Sequence, residues 1–279
     1  MESVPKGKIM LTSKLCVKND FSEPWFIPWR ESMKHDANGI QLGGRFLHRK
    51  EWEFVTVCQA LEERGMLGPG KRGLGFAVGL EPLPSIFANR GCTITATDHE
   101  TDSDGAWDGQ WASDLGALNN PDICEPSIFH KNVTLRRIDM NNLPADLNGY
   151  DFSWSCCALE HLGSLQKGLE FLHSQMRCLR PGGVAVHTTE YNLLSNDATL
   201  TEGPTVVYRQ RDLSELQYRL EKQGHSLEPM NMDIGNSMED WFIAHQPWED
   251  TTKNLSHLRL LIGRNICTSV LLIATKSRA

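Results

Sequence analysis

Short apolar runs alternate with amphipathic stretches along most of the chain. Apolar, β-branched runs of about four to eight residues predict strands, whereas apolar residues recurring every three or four positions predict helices. The predicted strands are 73–77, 93–97, 133–138, 150–155, 184–189, 226–232 and 267–274. The predicted helices are 46–64, 84–89, 165–179 and 212–223. This alternation predicts an α/β fold with a doubly wound, mostly parallel, seven-stranded sheet.

Two segments do not follow this alternation. Residues 1–45 are irregular and rich in Pro and Gly, yet they carry Trp25, Phe26 and Trp29, which need a surface to cover. We therefore expect an N-terminal arm that folds back on the core. Residues 235–264 are too long for a hairpin connection and predict a lid inserted over the substrate side.

These segments divide the chain into two parts. Residues 1–70 form the arm and the helix that packs on the core, and residues 71–279 form the main domain with its lid. A chain of 279 residues suits one large domain with additions. Its 40% hydrophobic and 23% charged residues are ordinary for a globular protein.

Charge and composition narrow the partners and the compartment. The net charge of −7 disfavours a face that follows a phosphate backbone, so a nucleic-acid partner is not expected. The sequence shows no signal-peptide pattern and no apolar run long enough to span a membrane. Eight scattered cysteines without a CxxC pair fit reduced thiols. We expect a cytoplasmic protein with a small-molecule substrate; the sequence does not indicate its oligomeric state.

Candidate site residues follow the predicted strands, because ligands of open parallel sheets bind at the carboxyl ends of the strands. Gly79 lets the backbone approach a ligand closely. Asp98 ends the second strand, where a carboxylate can accept both hydroxyls of a ribose. Asp139 follows the third strand and can accept a hydrogen bond from an adenine amine. The other candidates at strand ends are Glu81, Met140, Ser155, Cys156, Glu160, His161 and Glu190.

Two segments carry a family resemblance. Residues 150–162, YDFSWSCCALEHL, resemble the fourth strand of class I S-adenosylmethionine (SAM)-dependent methyltransferases and the start of the helix after it. Residues 179–186, LRPGGVAV, resemble the turn into their fifth strand. The resemblance extends over residues 73–276 and implies a Rossmann-like fold with SAM as cofactor. The residues that we predict to bind this cofactor are Gly79, Glu81, Asp98, Asp139, Met140, Ser155 and Cys156.

The first glycine motif departs from this family. Its usual acidic residue falls at Gly75, and its three glycines fall at Ala77, Gly79 and Glu81, so that Gly79 alone matches. Glu81 would place negative charge beside a pyrophosphate, which argues against a nicotinamide-dependent dehydrogenase. The motif leaves open how the SAM carboxylate is held, and Arg45 or Arg49 are candidates.

His161 is the candidate base, because it follows the fourth strand and imidazole titrates near neutral pH. Glu160 precedes it as a second catalytic candidate. The run also resembles small-RNA 3′-terminal ribose 2′-O-methyltransferases, in which a Glu-x-x-Glu-His run and a later His hold Mg²⁺. The first Glu of that run falls at Cys157 here. Glu160, His161 and Glu190 are therefore the candidate ligands of Mg²⁺ or another divalent metal.

The leading functional prediction is SAM-dependent methyl transfer to a hydroxyl of a sugar or small metabolite. Residues 73–84 and 187–192 resemble uncharacterised methyltransferases of glycan and natural-product pathways. Two alternatives remain open: a non-catalytic binding or scaffold protein with the SAM-binding fold, and a metal-assisted RNA ribose 2′-O-methyltransferase. The sequence does not separate O-methylation from N- or C-methylation.

Overall fold

A computed structural model describes residues 10–33, 46–99, 112–245 and 252–278. The strands are β1 (Ser13–Leu15), β2 (Leu47–His48), β3 (Arg72–Gly75), β4 (Thr93–Asp98), β5 (Val133–Arg137), β6 (Tyr150–Cys156), β7 (Leu179–Asn192), β8 (Ser226–Leu227), β9 (Met230–Asn231), β10 (Ile243–Ala244), β11 (Ser256–His257), β12 (Arg259–Ile262) and β13 (Asn265–Thr275). The helices are α1 (Phe26–Met33), α2 (Arg49–Glu63), α3 (Leu83–Asn89), α4 (Pro126–Asn132), α5 (Leu165–Ser174), α6 (Gln210–Lys222) and α7 (Met238–Trp241).

The main sheet has the order β10-β12-β13-β7-β6-β3-β4-β5. Strands β3 to β7 are parallel to their neighbours, and β13 runs antiparallel to β7. This arrangement confirms the doubly wound, mostly parallel sheet. The expected count of seven strands is wrong, because the described part of the sheet has eleven. The additional strands β1, β10 and β12 are short, and the predicted strand 226–232 is divided into β8 and β9.

Helices cover both faces of the sheet. On one face, Trp52 of α2 and Phe87 of α3 are buried in the same core cluster as Trp154 of β6. On the other face, Leu169 of α5 and Leu216 of α6 are buried in a second cluster. This is the three-layer arrangement that strand–helix alternation favours, and it leaves the carboxyl ends of β3 to β7 at one edge.

The N-terminal segment is more regular than predicted. Residues 26–33 form helix α1, whose Phe26, Trp29 and Met33 are buried. The Trp29 indole Nε1 donates a hydrogen bond to Gln59 Oε1 of α2 at 2.9 Å. Strand β1 adds to the sheet antiparallel to β13. Burial of these aromatic residues is the physical reason that this segment is ordered against the core.

Three other details differ from the sequence predictions. Helix α4 was not predicted. The expected helix 165–179 ends at residue 174, and 175–178 form a 3-10 turn. The expected turn 180–183 lies within β7, where Gly182 has a φ of 76° and the pairing with β6 changes register. The Pro-Gly-Gly sequence thus bends a continuous strand instead of preceding it.

The segment predicted as a lid is described over residues 235–245 and 252–264. Strands β10 and β12 extend the main sheet, whereas β11 pairs with β2 immediately before α2. The His257 ring stacks on the His48 ring at 4.0 Å between centroids. This segment therefore contacts both the sheet and the start of α2. Among the described residues, none of the helices has the length and apolar content to cross a membrane.

Candidate active site

Two residues of the loop after β3 have a left-handed backbone conformation. Ala77 has a φ of 47° and Gly79 a φ of 50°. The loop is joined to the end of β4, where the Val78 N–H donates to the Thr97 carbonyl at 3.0 Å. Glycine adopts a positive φ readily, whereas an alanine there is strained. The loop therefore keeps a glycine-type conformation although Ala77 stands at the first glycine position of the motif.

Asp98 is buried at the end of β4 and organises this loop. Its Oδ1 accepts the His99 N–H at 2.9 Å and its Oδ2 accepts the Ala112 N–H at 3.0 Å. The Gly79 N–H also donates to this carboxylate. Burial raises the pKa of Asp98 above its usual value. A carboxylate has about four acceptor positions, so these three bonds leave one for a ligand hydroxyl.

Glu81 is buried in the same loop and reaches across the sheet to β6. Its Oε1 accepts the Trp154 indole N–H at 2.5 Å, and the Cys156 thiol also bonds to this carboxyl. The Trp154 ring lies over Gly75, where a Cβ would come within 2.4 Å of it. Burial raises the pKa of Glu81 to about 8. Trp154 thus covers Gly75, the position at which the family's first glycine motif usually has an acidic residue. The buried Glu81 carboxyl lies beside Trp154.

The other residues predicted to bind the cofactor differ in burial and in the face of the sheet to which they point. Asp139 is exposed, and its Oδ1 accepts the Asn141 N–H at 2.8 Å. Met140 is buried at the same turn. The Ser155 hydroxyl bonds to His187 Nδ1 at 2.8 Å, on the face of the sheet that α5 covers. The side chain of Ser155 therefore points away from the face that holds Cys156.

The two predicted catalytic residues are adjacent in the 3-10 turn after β6, but one side chain is buried and the other is exposed. Glu160 is buried, and its Oε2 accepts the Thr189 hydroxyl at 2.8 Å. His161 is exposed, and its Nδ1 lies 2.8 Å from the Pro204 carbonyl oxygen. Because a carbonyl can only accept, Nδ1 carries the hydrogen of the neutral ring and Nε2 is the basic nitrogen.

A cluster of possible metal ligands lies beside this turn. It consists of Cys157, Glu160 and Glu190, whose ligand atoms all lie within 4.8 Å of one another. The cluster thus joins two of the three predicted ligands and contains Cys157 where the prediction had His161. Cys157 has a φ of 51°, which is a strained conformation for a residue other than glycine.

The Arg49 guanidinium already lies among these groups. Its Nη2 lies 2.6 Å from Glu190 Oε1, and its Nη1 donates to Cys157 Sγ at 3.1 Å. The same Nη1 lies 2.8 Å from Glu53 Oε1, one helical turn along α2. A divalent ion does not fit, because a cationic side chain already contacts two of the three groups. Arg49 was also a candidate to bind the SAM carboxylate, but its guanidinium already contacts Glu190 and Cys157. Arg45, the other candidate, lies outside the described residues.

This buried cluster has more carboxyl groups than cations. Burial acts to raise the pKa of Glu53, but the Lys50 ammonium and the Arg49 guanidinium overcome it and hold that pKa below its usual value. Burial raises the pKa of Glu190 to about 7, with the Glu160 carboxylate adding to the effect and Arg49 opposing it. Three carboxyl groups thus share two cations. The sequence signal for this network is a charged pair, Arg49 and Glu53, one turn apart in a helix that is buried over most of its length.

Comparisons with known proteins support the fold. The chain matches no protein-family model, and it matches no curated protein by sequence. It is similar to the crystal structure of the 4+2 cyclase SpnF, with a TM-score of 0.56 and 14% identity, over 94% of this chain and 96% of that one. It is also similar to a protein assigned as a sarcosine dimethylglycine methyltransferase from Galdieria sulphuraria, with a TM-score of 0.51 and 14% identity, over 82% and 85% of the two chains.

These similarities agree with the architecture of the sheet. At this identity they establish architecture alone, because one fold serves many chemistries. The chain has the fold of the class I SAM-dependent methyltransferases.

Proposed function

We propose that this protein is a SAM-dependent methyltransferase that acts on a hydroxyl of a sugar or small metabolite. The observation that carries the proposal is the buried Asp98 at the end of β4, with the left-handed loop 76–82 bonded to it. The acceptor position that remains on this carboxylate suits a hydroxyl of a ribose. The similar structures are those of a methyltransferase and a cyclase, so the experiments below measure cofactor binding and methyl transfer separately.

The residues at the edge fit the chemistry of SAM. Asp98 would hold the ribose, and the Glu81 carboxyl, once its proton is released, would pair with the ammonium of the methionine end. SAM supplies an electrophilic methyl group when bound. The chain then has to align an acceptor oxygen and take up its proton, for which His161 Nε2 is the proposed base and Glu160 its buried neighbour.

Calorimetry with S-adenosylhomocysteine tests the cofactor. We expect one molecule to bind per chain, and Asp98→Asn to weaken binding about 10- to 100-fold, because an amide nitrogen cannot accept a ribose hydroxyl. Asp146→Asn, at an exposed aspartate, is the matched control. A folded protein that does not bind S-adenosylhomocysteine would remove the proposal and support a non-catalytic scaffold.

Transfer of a radiolabelled methyl group from SAM tests the acceptor. Sugars, polyols and phenols should be methylated, whereas amines of matched size should not. His161→Ala should lose turnover and keep S-adenosylhomocysteine binding. Intact turnover in that variant would exclude His161 as the base, and labelling confined to amines would contradict hydroxyl methylation.

A further inference from the structure

The Arg49–Glu190 ion pair has two polar atoms without a hydrogen-bond partner in the described part of the chain. They are Arg49 Nε and Glu190 Oε2, each with almost no solvent access. The pair is joined by Nη2 and Oε1 at 2.6 Å, and the two residues are 8% and 2% exposed. Arginine and carboxylate often pair through two parallel hydrogen bonds, but here one contact is made. Buried polar atoms left unpaired are costly, so this donor and acceptor indicate a polar ligand group.

A hydroxyl group matches both atoms. It has one donor hydrogen and an oxygen that accepts, so it can donate to Glu190 Oε2 and accept from the Arg49 Nε–H. An ammonium group can only donate, and a carboxylate can only accept. Neither of these would satisfy both atoms at once. The pair is therefore suited to an alcohol or polyol.

This pair lies beside the proposed cofactor residues. Two adjacent thiols connect the regions: Cys156 bonds to Glu81, and Cys157 accepts a hydrogen bond from Arg49 Nη1 at 3.1 Å. Glu190 lies near the carboxyl end of β7, next to the strand that ends at Cys156. A hydroxyl held by this pair would therefore lie at the same edge of the sheet as the proposed cofactor residues.

The positive charge at this place belongs to the protein. Cys157, Glu160 and Glu190 have the composition of a metal site, and the Arg49 guanidinium is in contact with two of them. A guanidinium is planar and permanently charged, so it can orient an oxygen ligand without a metal ion.

We propose that the Arg49–Glu190 ion pair binds a hydroxyl group of the methyl acceptor, and that the guanidinium stands where a divalent metal ion would otherwise be needed. The inference rests on the proposed methyl-transfer function and adds to it a positioning site for a hydroxylated acceptor. It predicts that the protein needs no divalent ion.

Crystals of the S-adenosylhomocysteine complex, soaked in glycerol as the probe, test the hydroxyl site. We expect a glycerol oxygen within hydrogen-bond distance of both Glu190 Oε2 and Arg49 Nε. In Glu190→Gln that oxygen should be absent, and in Glu170→Gln, at an exposed glutamate of α5, it should remain. An ordered water that glycerol does not displace, or closure of Oε2 onto Nε, would overturn the proposal.

A Co²⁺ titration tests the role of the guanidinium. Wild-type protein should show no thiolate-to-cobalt absorption band, whereas Arg49→Ala should bind one Co²⁺ through Cys157 and lose it again when Glu190→Gln is added. A wild-type band that Glu190→Gln abolishes would overturn the proposal, as would a folded Arg49→Ala that binds no Co²⁺. If circular dichroism shows that Arg49→Ala is unfolded, Arg49→Met, which keeps the aliphatic stem, replaces it.

One measurement separates this inference from the proposed function. The same wild-type preparation is titrated with S-adenosylhomocysteine by calorimetry. Absence of binding would remove the proposed function. Binding without a glycerol oxygen at the ion pair would leave the proposed function intact and remove the inference alone.

Discussion

Glu81 is a buried carboxyl whose pKa is raised by burial to about 8. The unfolded chain releases this proton near the usual value of about 4.3, so the folded state binds more protons between about pH 5 and pH 8. The stabilising contribution of the protonated carboxyl is complete below that window and is lost as the pH rises to about 8. The free energy of unfolding should therefore fall across this range.

Glu81→Gln should remove that pH dependence. The amide is neutral at every pH, and its oxygen can still accept the Trp154 indole hydrogen. We expect the variant to be more stable than wild type by a few kcal/mol at about pH 8, with a smaller difference near pH 5. Urea unfolding at several pH values measures this, with Glu170→Gln as the exposed control. The same pH slope in Glu81→Gln and wild type would contradict the raised pKa.

Ala77 supports a second prediction at the residue scale. Its φ of 47° costs an L-residue about 1–2 kcal/mol, and glycine avoids this cost. Because glycine also loses more entropy on folding, about 0.4–1 kcal/mol, Ala77→Gly should stabilise the protein by about 0.5–1 kcal/mol net. Ala60→Gly, inside α2, should instead destabilise it by about 1 kcal/mol. Chemical denaturation measures both, and a destabilised Ala77→Gly would refute the strain.

Among the elements, α1 depends on its packing against α2. Trp29 is buried and donates to Gln59 Oε1, which is itself buried. Trp29→Phe keeps an apolar ring but leaves that amide oxygen without its donor, at a cost of about 1–3 kcal/mol. Ile27→Val, on the exposed side of α1, should change the free energy of unfolding by less than about 0.5 kcal/mol. Equal stability of the two variants would show that the arm does not depend on this bond.

Elements with a strong local pattern could be predicted, and those fixed by distant partners could not. Strands β3 to β7 and β13 coincide with short runs rich in apolar residues, and that pattern is local. Strands β10 and β12 are two and four residues long; β12 pairs with the edge that β13 offers, and β10 pairs with β12. Helix α1 has aromatic residues whose surface is provided by α2, which begins sixteen residues after α1 ends. The positions of such elements depend on contacts that a single sequence does not show.

The residues of the site also fall into those that a local pattern predicts and those that distant partners position. Asp98 follows a recognisable strand, so its position at the sheet edge followed from topology. The partners of Arg49 come from α2, from the residue that follows β6, and from β7 and β13, so no spacing in the sequence connects them. The metal prediction considered Glu160, His161 and Glu190, and the Arg49 guanidinium that contacts Glu190 lies more than a hundred residues earlier in the chain. Long-range charge pairing is thus the part of the site that sequence reasoning missed.

At the scale of the whole molecule, Arg259 connects the two ends of the chain. It is buried, and its Nη1 donates to the Cys16 carbonyl at 2.9 Å and to the Thr268 hydroxyl at 2.8 Å. Its Nη2 donates to the Ile234 carbonyl at 2.7 Å and lies 3.5 Å from Asp240 Oδ1. One guanidinium thus holds the N-terminal segment, the region before α7 and β13 together.

Arg259→Leu should therefore destabilise the protein by about 3–5 kcal/mol, because the buried Asp240 carboxylate loses its cation and the Cys16 and Ile234 carbonyls each lose a donor. Arg264→Leu removes the same charge from an exposed position and should change the free energy of unfolding by less than about 0.5 kcal/mol. Urea unfolding followed by circular dichroism compares the two variants with wild type. If Arg259→Leu stays within about 1 kcal/mol of wild type, the chain ends are held by strand pairing between β1 and β13 rather than by this charge.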